Sequence, residues 1–396
     1  MKRCIVCKAK LEELFRIENM PASAQDIPSR EELERDRATD IRLCACRGCG
    51  LVQLESEPVH YFRDVIRAGG GSSTMEALRM SQYEEFIRIG DLKGKKILEA
   101  GCGAGEFLEI LARYPVQAYG MEHKEELARK AREKGLSVSI AYPESEEEIF
   151  ADAPFDAFCS FNFLEHQPDP VSYLRAIAKN LKEGGFGLLT VPSFEYILEE
   201  KSFYEIIPDH IAYYTFESLA FTAQSAGFEI IGKKRVNRDT LELILKKRAL
   251  PDIGGILRQK EAIGEQVSAL LQLAKKEKRK IAIWGASHQG FTLCATLLSS
   301  RGGEKRSEEE RGFGQSEGRE GEILYIIDSA KFKQGRYAPA SHIPIVSPKQ
   351  AKENPPDIII IVAPGYTDEI AAIIRRDFAS SISVYTLMSE SLERLW

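Results

Sequence analysis

Three groups of residues in this 396-residue chain have the types and spacing of chemistry. The first is Ile97-Leu98-Glu99-Ala100-Gly101-Cys102-Gly103-Ala104-Gly105-Glu106, an apolar run that ends in closely spaced glycines and passes into the helical pattern Phe107-Leu108-Glu109-Ile110-Leu111. Glycines lacking Cβ let a loop turn tightly and approach a ligand, and the N-terminus of the following helix offers unpaired N–H groups. About twenty residues on, the strand-like run 116–121 ends in Glu122, where a carboxylate can hold ribose hydroxyls. These features point to a nucleoside. Dinucleotide sites prefer G-x-G-x-x-G for a pyrophosphate, whereas here the spacing is G-x-G-x-G with Glu99 just before it. A carboxylate there repels phosphate and suits a cationic ligand.

The second group is a pair of C-x-x-C knuckles, Cys4-Ile5-Val6-Cys7 and Cys46-Arg47-Gly48-Cys49, separated by a long polar insert. Four thiolates so arranged close a tetrahedral structural Zn²⁺ site with no position left for water or substrate. The alternative is reduced cysteines without metal. Cys44 could take the place of Cys46, but the C-x-x-C spacing favours Cys46 and leaves Cys44 as an ordinary buried thiol. Five of the eight cysteines crowd into the first fifty residues, and Met1-Lys2-Arg3-Cys4 leads into no secretory segment, which points to metal binding and a cytoplasmic location.

The third group is Asn162-Phe163-Leu164-Glu165-His166-Gln167-Pro168, directly after the fourth expected strand. Residues at the carboxyl ends of parallel strands face the ligand crevice, so Asn162 and Phe163 are expected to border the cofactor. His166 reads either as a substrate contact or as a structural histidine.

The elements that must hold these groups alternate from Lys95 to about Lys247, with strands over 96–100, 116–121, 137–141, 157–161, 187–191, 228–234 and 241–246. That pattern predicts an α/β fold, a central doubly wound Rossmann-like sheet. The expected division is a small zinc-binding module over 1–56, a central domain over 57–250, a linker helix over 251–280 and a second Rossmann-like domain over 281–396. The last opens on Trp284-Gly285-Ala286-Ser287-His288-Gln289-Gly290, again a strand, a glycine turn and a helix. Residues 299–322, rich in Gly, Arg and Glu, read as a mobile insertion. The run Gly69-Gly70-Gly71-Ser72-Ser73-Thr74, before an amphipathic segment over 75–89, reads either as a hinge or as a loop covering a site, with Ser72 and Ser73 against substrate. A net charge of -6 provides no uniform cationic field for nucleic acid or anionic lipid, and no stretch approaches the roughly 18 apolar residues of a membrane span. A small-molecule substrate fits that balance.

Residues 99–106 with Glu122 resemble motif I of class I S-adenosylmethionine methyltransferases, whose cofactor carries an amino group and a sulfonium and no phosphate. That resemblance implies cofactor contacts from Glu99, Gly101, Gly103, Gly105, Glu122, Asn162 and Phe163. The order of zinc knuckle, methyltransferase core and second Rossmann-like unit resembles the nucleotide-sugar C-methyltransferase family, which methylates keto-deoxysugars bound to thymidine diphosphate. The resemblance spans nearly the whole chain. It is carried by residues 46–54, 99–106 and 203–215, and most specifically by 331–345 (Lys-Phe-Lys-Gln-Gly to His-Ile-Pro-Ile) with Pro356-Asp357. It implies that a base removes the proton beside the sugar ketone and that the resulting enolate takes the methyl group. His210 fits the base because an imidazole titrates near neutrality, and Asp209 would hold or polarise the pocket. Lys333 and Tyr337 would hold the nucleotide-sugar, the alternative being that they cap a surface turn. The chain departs from the family where Ile207 replaces a tyrosine and Asp209 a glutamate, and where residues 237–242 replace a His-Gly-Gly-Ser-like turn. A pocket of different polarity follows. The competing expectations are methyl transfer to oxygen or nitrogen of a related metabolite, and a catalytically idle cofactor- or sugar-binding protein.

Overall fold

A computed structural model of the chain describes residues 3–63, 72–299, 322–388 and 391–396. The Gly69-Gly70-Gly71 run and residues 300–321 of the expected insertion lie outside the described residues. The chain divides into two compact units, Met1–Leu250 and Pro251–Trp396.

The first unit begins with β1 (Leu11–Met20), β2 (Thr39–Cys46) and β3 (Val52–Leu54), joined by β9 (Ala212–Tyr213) into an antiparallel sheet of order β1-β2-β3-β9. The long polar insert between the two knuckles therefore holds most of two strands. The core elements follow: α1 (Ser73–Gly90), β4 (Lys96–Ala100), α2 (Glu106–Leu111), β5 (Gln117–Glu122), α3 (Glu125–Glu133) and β6 (Ser137–Ile140). Next come β7 (Phe155–Phe161), α4 (Pro170–Lys179), β8 (Leu181–Pro192), α5 (Phe194–Glu200), α6 (Phe216–Ser225), β10 (Phe228–Val236) and β11 (Thr240–Lys247). Their sheet runs β10-β11-β8-β7-β4-β5-β6. Strands β4 to β8 are parallel, and β11 is antiparallel to both β8 and β10. This is the Rossmann-like fold of class I S-adenosylmethionine methyltransferases, with a reversed hairpin at one edge that adds to the doubly wound expectation.

Helices on both sides of the sheet bury it, so β4 is covered on both faces, as a central parallel strand must be. One face packs Leu98, Phe158 and Val191, and the other packs Ile97, Phe107, Phe161 and Tyr83. Helix α1 starts earlier than its apolar pattern indicates. Ser72 is its N-cap, accepting from the Met75 N–H at 3.3 Å, and Ser73 and Thr74 lie in its first turn. That capping role is what the structure shows for Ser72, in place of the loop expected at 72–74.

In the second unit, α7 (Gly254–Lys276), β12 (Ile281–Trp284), α8 (His288–Ser299), β13 (Ile323–Ile327), β14 (Ile345–Val346) and α9 (Pro348–Glu353) precede β15 (Ile358–Ile361), α10 (Thr367–Asp377), β16 (Ser383–Leu387) and β17 (Leu392–Arg394). The sheet order is β14-β13-β12-β15-β16-β17, parallel except at β17. Helix α7 corrects the expected linker. Its Val267, Leu270, Leu271 and Ala274 are buried against Ile283 and Leu293, so it is an element of this unit's core. No helix among the described residues is long and apolar enough to cross a membrane.

Candidate active site

The glycine loop leaves β4 with Gly101, Gly103 and Gly105 at φ of +74°, +59° and +83°. These are left-handed values that favour glycine. At Gly105 the reason is packing: a Cβ would stand 2.5 Å from Leu136 Cδ1 and 3.1 Å from Ala131 Cβ. At Gly101 the reason is the left-handed φ, since among the described residues an added Cβ would meet just the Phe163 ring, at an ordinary contact of 3.9 Å. Glu122 spans the loop. One carboxylate oxygen accepts from the Gly103 N–H at 2.8 Å and the other from the Lys124 N–H at 2.9 Å. Glu99 lies fully buried beneath the loop.

Around this loop the structure gathers residues that the sequence reading did not single out. Arg79 of α1 is 3% exposed and lies 3.3 Å from the Phe161 ring centroid and 4.2 Å from that of Phe107. It donates to Gln82 Oε1 at 2.8 Å, and Gln82 in turn donates to the buried Glu242 of β11. Glu242 also pairs with Lys234 at 3.2 Å. On the other rim, His123 and Tyr142 follow β5 and β6 with ring centroids 5.8 Å apart, and Tyr142 contacts Tyr173. These rings form an aromatic corner beyond the acid that would take ribose. Burial pushes the Tyr142 phenol up to about 12.

Asn162 and Phe163 sit where the parallel-strand rule expects them, at the end of β7. Asn162 has a φ of +47°, its N–H donates to Thr190 O at 2.9 Å, and the Thr190 hydroxyl donates to its side-chain oxygen at 2.8 Å. A short 3-10 turn, Leu164–His166, then buries Glu165 and His166 at 2% and 3% exposure. The loop before β9 brings His210 to them, with ring centroids of His166 and His210 4.8 Å apart. Ligating atoms of Glu165, His166 and His210 all lie within 4.8 Å of one another. His166 Nδ1 donates to the Asp209 carbonyl at 2.7 Å, because a carbonyl can only accept. Its Nε2 is then the ring's acceptor, 3.7 Å from Glu165 Oε1.

One expectation for this strip is corrected. His210 does not titrate near neutrality. Although its edge is partly exposed, its ring is densely surrounded, and burial, with His166 adding to it, pulls it down to about 3. Burial also lowers His166. Of the two readings of Asp209, holding or polarising the pocket, its contacts favour holding: Tyr61 OH lies 2.5 Å from one oxygen and the Ala24 N–H 2.7 Å from the other.

The four knuckle cysteines converge, with Sγ atoms of Cys4 and Cys49 3.5 Å apart and of Cys7 and Cys46 3.3 Å apart. All four lie within 4.8 Å of one another, three of them buried, and Cys44 is not in the set. This donor set fits a thiolate-bound Zn²⁺. In the second unit Lys333 is not a free cation. It pairs with Asp328 at 3.0 Å, and Asp328 also accepts from the Ala286 N–H beside the Gly285 turn. Tyr337 is half-exposed and bridges to Pro344.

A signal for Glu165 was present in its place beside His166, and one for Arg79 in its being the lone cation on the apolar side of α1. Nothing local marked Tyr61, whose partner lies 148 positions away.

Residues 76–233 match a methyltransferase domain family, and residues 317–381 match the C-methyltransferase C-terminal domain family. The chain is 36% identical over 123 residues to the ubiquinone biosynthesis O-methyltransferase of Xanthomonas oryzae pv. oryzae, covering 30% of this chain and 52% of that protein. It thus spans about half the length of these curated relatives. It is 24% identical over 367 residues to the C-methyltransferase NovU of Streptomyces niveus, covering 83% of this chain and 81% of NovU. Among solved structures, a protein from Pyrococcus horikoshii OT3 is similar at 16% identity and a TM-score of 0.39, over 48% of this chain and 97% of that one. Magnesium protoporphyrin IX methyltransferase from Synechocystis, solved with bound SAH, has 16% identity and a TM-score of 0.36, over 44% of this chain and 83% of that one. With its sheet order, its glycine loop and both family matches, the chain carries a class I methyltransferase fold followed by a domain of the C-methyltransferase C-terminal type.

Proposed function

We propose that this protein is an S-adenosylmethionine-dependent C-methyltransferase whose acceptor is a keto-deoxysugar carried on a nucleotide. The observation that supports this most is the Glu165, His166 and His210 group, the first two buried, close in sequence to the Phe163 ring that faces Gly101, in a chain whose residues 317–381 match the C-methyltransferase C-terminal domain family. S-adenosylmethionine, when bound, supplies an electrophilic methyl group on its sulfonium. Glu99, Glu122 and the glycines would hold it, with Asn162 and Phe163 at its border. His210, neutral at working pH because of its burial, accepts the proton from the carbon beside the ketone. A base of such low proton affinity needs its charged form stabilised, and Glu165, with a carboxylate oxygen within 4.8 Å of ligating nitrogens of both histidines, is the group placed to do so. The acceptor carbon then takes the methyl group. Lys333 and Tyr337 are assigned to the nucleotide part of the substrate. The four knuckle cysteines hold a structural Zn²⁺.

His210→Ala is expected to leave S-adenosylhomocysteine affinity unchanged and to lower turnover about a hundredfold or more, the usual cost of losing a general base. Undiminished turnover would remove His210 from this role. A second reading, methyl transfer to oxygen, draws support from the 36% identity with O-methyltransferases across 123 residues. There, orientation can suffice and base strength matters less.

A further inference from the structure

We propose that Glu165, His166 and His210 form a second metal site, separate from the cysteine knuckles, which takes a divalent cation such as Zn²⁺ or Co²⁺ and in doing so blocks the proton acceptor. The blocking, though not the binding, rests on reading His210 as the base.

The donor set is one carboxylate and two imidazoles, with ligating atoms that all lie within 4.8 Å of one another. Zinc sites that keep an open position are built of such trios, the fourth place being left to water. Ligands about 2.0–2.1 Å from a tetrahedral ion stand roughly 3.4 Å apart. His166 Nε2 and Glu165 Oε1 are 3.7 Å apart, so little closure is needed. Magnesium and calcium prefer oxygen ligands throughout, which a pair of imidazoles does not offer.

The trio is held by groups outside it. His166 Nδ1 donates to the Asp209 carbonyl at 2.7 Å, which leaves Nε2 as the ligating nitrogen and fixes the ring, the support that metal-binding histidines almost always have. The Ile211 N–H donates to the Glu165 carbonyl at 3.0 Å, so the residues on either side of His210 are both tied to the 165–166 turn. The Tyr213 hydroxyl accepts from the Ile207 N–H at 2.9 Å and donates to the Ile207 carbonyl at 3.1 Å, which pins the start of the same loop. Glu165 and His166 are buried, whereas His210 is partly exposed, and that side gives an ion its way in. A neutral imidazole has one nitrogen lone pair to give. His210 can spend it on a cation or on a proton, and the two uses exclude each other.

The test takes the full chain with zinc in its cysteine site and Co²⁺ as the probe. Titration should show one further equivalent bound in the micromolar range, with visible d–d bands of a nitrogen and oxygen set and no sulfur-to-cobalt charge transfer. Glu165→Gln and His210→Ala are each expected to weaken that binding about a hundredfold, since even a group that merely supports a ligand is worth about ten- to a hundredfold in affinity. Retained S-adenosylhomocysteine affinity shows that the variants are folded. His288→Ala, which removes an exposed histidine of the second unit, should bind as the wild type does. With an acceptor present, turnover should fall in step with Co²⁺ occupancy. No further equivalent, binding that persists in both variants, or charge-transfer bands alone would overturn the site. Binding with undiminished turnover would overturn the blocking and the assignment of His210 as base. The binding arm needs no acceptor, so an error about the reaction is told apart from an error about the site.

Discussion

The two histidines show how burial changes what a residue can do. Both have lowered proton affinity because water is excluded from them, His210 to about 3. The unfolded chain takes up protons near pH 6.5 that the folded chain refuses, so folded stability is complete above that pH and falls as the pH drops towards 3. The groups facing His210 are Glu165, His166, Asp209 and Tyr213, of which His166 adds to the shift. Replacing His210 by Gln should make the fall in stability between pH 7 and pH 5 shallower, by up to about 1.4 kcal/mol per pH unit. Denaturant titrations at those two pH values check this, and equal slopes for the two proteins would contradict it. The places of the glycines, Glu99 and Glu122 in the fold were legible in the sequence because each lies within a few residues of a strand end. The state of His210 was not legible, because it depends on what surrounds the ring. The partners of Asp209 were not legible for the same reason: its carboxylate is held by Tyr61 and Ala24, both from far upstream.

At the level of elements, the loop that carries His210 is held between the cysteine knuckles and the Glu165 turn. The Ile5 N–H donates to the Gln53 side chain, and β3 pairs with β9 through Val52 with Tyr213 and Gln53 with Ala212. The Leu54 N–H donates to Ile211 O, and the Ile211 N–H to Glu165 O, each at 3.0 Å. Loss of the knuckle thiols should therefore reach His210 before it reaches the glycine loop, which rests on β4. Cys49→Ser, or removal of zinc by a chelator, is expected to lower the melting temperature by several degrees and turnover by about tenfold or more. S-adenosylhomocysteine affinity should change little, and a parallel loss of both would contradict this division. The core strands were readable because each is an apolar run bounded by turns. β1 was not, since its exposure pattern alternates nowhere and its pairing with β2 spans the insert. Helix α7 was read as a spacer because its charges are conspicuous, whereas its narrow apolar stripe is what the second unit buries.

At the level of the whole molecule, the chain joins a methyltransferase fold to a second α/β unit with its own sheet and core. Two Rossmann-like sheets were legible from the repeated order of strand, glycine turn and helix; the inclusion of the zinc knuckles in the first compact unit was not, because it is made by the late strand β9. Under the proposed function, Lys333 of the second unit would contact the nucleotide of the acceptor. Lys333→Glu places a carboxylate against Asp328 and should weaken binding of a thymidine-diphosphate sugar at least tenfold, leaving S-adenosylhomocysteine affinity as it is. Calorimetry with each ligand checks this, and unchanged sugar-nucleotide affinity would return Lys333 to a purely structural role. The central claim, carbon methylation, is tested most directly by incubating the protein with thymidine-diphosphate keto-deoxysugars and S-adenosylmethionine carbon-13 labelled in its methyl group, then reading the product by NMR. The claim predicts a labelled methyl bonded to carbon beside the ketone, formed by the wild type and not by His210→Ala; a labelled methyl on oxygen or nitrogen would contradict it.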